Sequence, residues 1–198
     1  MKKFVYTGSF KLLILSFLLA SCSGILVPDP IDPRIPKYTE VGNNVAGAFV
    51  NAKVWQSIVY SSLGYTVNEP EITAYTGKDS LSVRFTGNIS GEDRRIEFHL
   101  KGFHLDELDD LLQLNGQKIQ LDGLNASAYY SEDYDQSAFS AKGIGQIYFR
   151  NVKKDNSSSS IVLSGTFGFS INDGNGDIIK VSSGRFDYRL TDNNFHIE

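Results

Sequence analysis

A chain of 198 residues is long enough for one domain with a full core. Its formal net charge of −4 and its lack of a basic block exclude a nucleic-acid binder held by phosphate contacts, and its single cysteine excludes a disulfide within the chain. With 13 Phe and 10 Tyr against one Trp and one Met, and with 18 Gly, the composition suits a β-rich core with many turns.

The first residues fall into three parts. Lys2, Lys3 and Lys11 make a basic start, Leu12 to Ala20 an apolar run, and Ala20-Ser21 a small-residue step into Cys22. A bilayer span needs roughly 20 apolar residues, and this run has about half that. It reads as a secretory leader over 1–21. Leu19-Ala20-Ser21-Cys22 resembles the bacterial lipobox. That resemblance implies cleavage before Cys22, lipid on its sulfur and a further acyl chain on the new amino terminus. Each buried methylene contributes on the order of 0.8 kcal/mol, so one chain holds reversibly and several hold nearly permanently. The membrane is the first expected partner, through Cys22.

Four of the five prolines follow, at 28, 30, 33 and 36. Proline fixes φ and removes a donor, which favours extended geometry. The composition predicts a tether over 22–40 that spaces a single domain, 41–198, roughly a few tens of Å from the bilayer.

From Val41 onward the signals are those of strands. Ala46 to Ile58, with Phe49, Val54 and Trp55, has a strand-turn-strand pattern, and Glu71 to Thr76 is a short strand after Pro70. Leu81, Val83 and Phe85 alternate with polar residues, as do Ile96, Phe98 and Leu100. Two such runs, parted by Gly87-Asn88 and Gly91-Glu92-Asp93, predict an antiparallel pair. Leu105, Leu108, Leu111 and Leu112 fall at helical spacing, with acids in the first turns and Asn115-Gly116 as a stop. They predict one short capping helix. Short strands follow at Ile119 to Leu121 and Ala126 to Tyr130, then a longer one from Gly143 to Val152. Ile161, Leu163, Gly165, Phe167, Phe169 and Ile171 keep period 2 throughout. After Ile179 and Val181 the inward set changes parity to Phe186, Tyr188 and Leu190, which predicts a β-bulge at Gly184. Short strands with regular turns argue an all-β fold, an antiparallel β-sandwich or a lipocalin-like closed barrel.

The run Ile161 to Phe169, containing SGTFGF, then a Gly/Asp turn and Ser183-Gly184-Arg185-Phe186, resembles an uncharacterised Bacteroidota lipoprotein family with SGTFxF…SGxF strands. Phe139 and Gly143 to Phe149 fill further places of its pattern. The family's asparagine-glycine turn before a tryptophan becomes Asn51-Ala52 ahead of Trp55, and alanine argues against a positive φ there. The resemblance implies a fold and an envelope location, and no catalytic residues. Surface lipoproteins of such bacteria carry an acidic run after the cysteine. Ser23 to Val27 is not acidic, which points to the outer membrane facing the periplasm. Asp79-Ser80-Leu81 matches the short O-glycosylation tripeptide of these bacteria, with Ser80 as acceptor. The sequons at Asn88, Asn125 and Asn156 are chance in a bacterium.

Two constellations could carry chemistry. Asp173, Asn175 and Asp177 have the alternating oxygens of a calcium loop, although Ile178 stands where that loop wants glycine and no glutamate follows at its twelfth place. The same residues are what a hairpin turn demands. Tyr129, Tyr130, Glu132 and Tyr134 offer faces for stacking and a carboxylate for sugar hydroxyls, the pattern of a glycan contact. Paired carboxylates there could also serve glycoside hydrolysis. Against an enzyme stand the missing G-x-S-x-G elbow, P-loop and dinucleotide fingerprint, the lack of zinc spacing among His99, His104 and His196, and the commitment of the sole thiol to lipid. No cofactor is called for. The expectation is a non-catalytic module for a protein or glycan partner. The alternative is a carrier of small apolar ligands in a barrel cavity, although Lys53 stands where a lipocalin has the glycine of its Gly-x-Trp signature.

Overall fold

The structure is a computed structural model that describes residues 32–61, 64–131, 143–155, 158–172 and 176–198, residues 59–61 by backbone alone. Within them the strands are β1 Val45–Val50, β2 Lys53–Gln56, β3 Ile58–Ser61, β4 Gly64–Val67, β5 Glu71–Tyr75, β6 Ser80–Ile89 and β7 Glu92–Lys101. Then come β8 Lys118–Leu121, β9 Ala126–Ser131, β10 Ile144–Asp155, β11 Ser160–Asn172, β12 Ile178–Leu190 and β13 Phe195–Ile197. One path runs β13-β5-β6-β2-β1-β12-β11-β10-β8, β7 and β9 continue from β6, and β3 and β4 form a separate hairpin. The main sheet curls into a half-barrel. Among the described residues pairing is antiparallel apart from β13, which lies parallel to β5 with Phe195 opposite Ile72.

The all-β class expected from the sequence holds, and the alternation explains it. β6 buries Leu81, Val83 and Phe85, β7 buries Ile96, Phe98 and Leu100, and Val83 pairs with Phe98. β11 buries Ile161, Leu163, Phe167, Phe169 and Ile171. The two limbs face each other across these rings. Phe85 lies 5.1 Å from Phe186 and 5.5 Å from Tyr188, and Phe98 lies 5.3 Å from Phe167. Burying each such ring contributes about 2 kcal/mol through lost apolar area. An isolated bridge between Ala128 and Gly143 links β9 to the start of β10.

Gly87-Asn88 does not break the chain as expected. β6 runs through both, and the turn falls at Ser90-Gly91, where both residues take positive φ. Gly87 provides space: a Cβ there would lie 2.3 Å from the Trp55 indole. Trp55 is fully buried and donates Nε1–H to the Arg94 carbonyl at 3.0 Å. Beside it Gln56 pairs with Asn88. A large ring laid on bare backbone therefore joins β2 to β6.

The Asn51-Ala52 turn also departs from expectation. φ is +48° at Asn51 and +65° at Ala52, with Val50 opposite Lys53 in a two-residue hairpin. Asn51 is stitched to β12: its N–H donates to the Lys180 carbonyl at 2.9 Å, and its Oδ1 accepts the Lys180 N–H at 2.8 Å. These bonds outweigh the roughly 1 kcal/mol an alanine loses in the left-handed region. The β12 bulge is present, since Phe167 pairs with Gly184 but Phe169 with Val181. Its positive φ of +53° falls on Ser183, one residue before the glycine.

The capping helix is a 3₁₀ segment, Leu108–Leu114. Leu105, Leu108, Leu111 and Leu114 are buried, while Leu112 is only partly so. Three residues per turn stack a three-residue spacing on one side, which an α-helix does not. Asp110 accepts the amides of Asp106 and Glu107 at 2.8 and 3.1 Å and secures its start.

The compact unit spans Pro33–Glu198 and so takes in the segment 33–40 that the sequence assigns to the tether. Ile35 is buried, and Pro36 covers Gly47, where a Cβ would meet Pro36 Cδ at 2.4 Å. Arg34 lies 4.7 Å over the Phe49 ring. The described part of this proline-rich strap turns at Pro33-Arg34 and then packs against β1.

Candidate functional site

Two carboxylates organise the polar groups of this unit. The first, Asp187 on β12, has a core neighbour on either side in Phe186 and Tyr188, so alternation turns it to the opposite face. There it is covered by the strap and is 1% exposed. One oxygen accepts the Gly42 amide at 2.8 Å and the Ser164 hydroxyl at 2.7 Å. The other accepts the Thr39 hydroxyl and the amides of Val41 and Asn43 at 3.3 and 3.2 Å. Burial pushes this carboxyl up, but the hydrogen bonds from Thr39, Ser164, Gly42 and Asn43 outweigh it and hold the group below the ordinary value. Around it Asn44 Oδ1 accepts the Arg189 amide at 2.8 Å, and Arg189 Nη2 donates to the Val41 carbonyl at 3.0 Å. The Tyr38 phenol donates to Glu40 at 2.7 Å, and its pKa is raised by burial first and by that carboxylate second. This cluster fastens the strap, and Asp187 itself is closed to a ligand.

The second, Glu97 on β7, sits in a row that crosses four strands. Register places Glu71 on β5, Arg84 on β6, Glu97 on β7 and Tyr129 on β9 side by side. Arg84 donates to Glu71 at 2.7 Å and to Glu97 at 3.0 Å. His99 Nε2–H donates to the other Glu97 oxygen at 2.6 Å, and its ring lies 4.8 Å from that of Tyr129. The Glu97 side chain is 14% exposed and that of His99 49%, so the carboxylate supports and the imidazole faces outward. Burial raises the Glu97 pKa, but the hydrogen bonds from His99 and Arg84, then their charges, bring it to about 2. The Arg84 pKa is raised: burial lowers it, and the bonds and charges of Glu97 and Glu71 more than compensate. The result is a flat outer face with an aromatic ring, an imidazole, a guanidinium and two carboxylates held in place. Such a face can hydrogen-bond and stack; Ser82, opposite His99, is 1% exposed, so a substrate cannot reach its hydroxyl for nucleophilic work.

The residues singled out from the sequence divide accordingly. Tyr129 is on the outer face beside His99, whereas Tyr130 is 2% exposed and belongs to the core. Adjacent strand residues point to opposite faces, so the two tyrosines cannot form one contact. Cys22, Glu132, Tyr134, Asp173 and Asn175 lie outside the described residues. Asp177 is described and precedes β12. Among the described residues no group of three His, Cys, Asp or Glu is placed to hold a metal, and no helix is long and apolar enough to cross a membrane. Ser80 opens β6, half-buried, between Tyr75 and Lys101. Its neighbour Asp79 takes a φ of +44° and bonds His104 Nδ1 at 2.8 Å. The role of Arg84 and Glu97 was not foreseen, though period-2 alternation already places both on the polar face of their strands.

No family model matches this chain, and neither a curated protein nor a solved structure does.

Proposed function

We propose that this protein is a cell-envelope lipoprotein, anchored through acylated Cys22 to the outer membrane on its periplasmic side. It acts as a non-catalytic binding module for a protein or glycan partner. The anchor rests on Leu19-Ala20-Ser21-Cys22 after a short apolar run, and the location on the resemblance of the 139–190 strands to the Bacteroidota lipoprotein family. The single observation that carries the binding reading is the Glu71–Arg84–Glu97–His99–Tyr129 face, held in place by its own hydrogen bonds and ring contact. A polar face already fixed loses little freedom on binding. What favours a surface module over an apolar carrier is the interior. A carrier needs several hundred Å³ of empty space, and between the limbs stand Phe85, Phe98, Phe167, Phe186 and Tyr188 in ring contact.

Two measurements test this. Mass spectrometry of the mature protein is expected to find acyl chains on Cys22; a free thiol refutes the anchor. Binding to an array of envelope polysaccharide and peptide fragments is expected to fall at least tenfold in Tyr129→Ala and Arg84→Ala, each with unchanged unfolding cooperativity. Unaltered binding in both refutes the face.

A further inference from the structure

A cleft of about 450 Å³ opens beside the β1–β2 turn and β12, lined by Arg34, Phe49, Asn51, Ala52, Lys180 and Ser182. Two cationic residues, one aromatic residue and two with neutral hydrogen-bonding side chains are among those that line it, and none carries a carboxylate. In a chain of net charge −4 that is the reverse of the general balance. Part of its wall is held by contacts within the chain. The Arg34 guanidinium lies 4.7 Å over the Phe49 ring, and Lys180 is tied through its backbone to Asn51 by bonds of 2.9 and 2.8 Å. Ser182 stands beside the β12 bulge. The residues that line this concavity carry a guanidinium, an ammonium and a hydroxyl, donors suited to a phosphate oxygen.

The position of the cleft selects the source of that phosphate. Arg34 follows Pro33, the first residue of the compact unit. Even fully extended, the segment 22–33 cannot reach more than about 40 Å. With Cys22 acylated, the cleft stays within that distance of the headgroups, which raises their effective concentration. We propose that this cleft binds the phosphate of an anionic lipid headgroup, giving the anchored domain a second, electrostatic contact with its membrane. The inference rests on the anchor reading for its biological setting and on the cleft alone for its chemistry.

The test uses the chain from Ser23 onward, which keeps the compact unit and lacks leader and acyl chains. Vesicles of phosphatidylcholine with and without phosphatidylglycerol are the probes. Binding is expected only to the anionic vesicles. It is expected to weaken about fivefold in Arg34→Ala and in Lys180→Ala, and to stay within twofold in Lys118→Ala, which removes the same charge from β8. Equal binding to both vesicles, or equal losses in all three variants, overturns the site. Inorganic phosphate that binds the cleft while anionic vesicles do not overturns the lipid source. Because no acyl chain is present, a failure here is separate from a free thiol at Cys22.

Discussion

Asp187 and Glu97 are both carboxylates held below their ordinary values, and they are held by opposite means. Asp187 is reached only by neutral donors, three amides and two hydroxyls, and is sealed by the strap. Glu97 is held by an imidazole and a guanidinium at a half-open surface. Neutral donors in a dry site do not respond to salt, whereas charged partners near water do. The difference separates a fastening from a recognition surface. Donors that converge on one buried acceptor leave no valence for a partner; a charged row with one face in water does.

The largest test of that contrast is Asp187→Asn. The amide puts two donors where five donors already converge, and unfolding in urea is expected to show a loss of about 3 kcal/mol, with protease cleavage appearing within 33–43. A loss under 1 kcal/mol, or a strap that remains protected, would mean that Asp187 fastens nothing. Next comes Arg84→Ala. An exposed ion pair contributes about 0.5–1 kcal/mol, and the pair to Glu97 is expected to lose most of its contribution in 1 M salt, while the Asp187 effect stays unchanged.

Acid provides the third test. Each folded carboxyl is depressed, so its stabilisation is complete above the unfolded values, near 3.8 for Asp187 and 4.5 for Glu97, and is lost as pH falls through the folded ones. For Glu97 that loss extends down to about pH 2. Stability is expected to decline from pH 4.5 downward, and Glu97→Gln to flatten the lower part of the curve. The smallest effect belongs to the turn that ties β1 to β12. Ala52→Gly relieves a φ of +65° and is expected to raise stability by about 0.5–1 kcal/mol, read as a rise in Tm. A fall instead would show that Asn51-Ala52 is unstrained.

Much of the fold was legible because strand alternation is local. The parity change at Gly184 marked a bulge with no partner strand in view, since a step from Val181 to Phe186 cannot keep one face without an extra residue. Where the strap lies was not legible, for the converse reason. Proline spacing specifies an extended backbone, and it is silent on whether that backbone lies free or along β1. Gly87 is ambiguous in the same way: a glycine that breaks a strand and one that admits a tryptophan ring look the same along the chain.

The order of apolar and polar residues was enough to establish a β-built domain, its main hairpins and which faces of the longest strands are buried. It was also enough to set Arg84, Glu97 and His99 on a polar face. Folding alone decided that these three meet Tyr129 in one row, that Tyr130 turns inward, and that Asp187 captures donors from Thr39 to Asn43. The cause is separation along the chain. Period and turn chemistry act between near neighbours, whereas the cross-strand row gathers residues from 71 to 129 and the buried cradle joins groups more than a hundred residues apart, which only the folded sheet brings within hydrogen-bond reach.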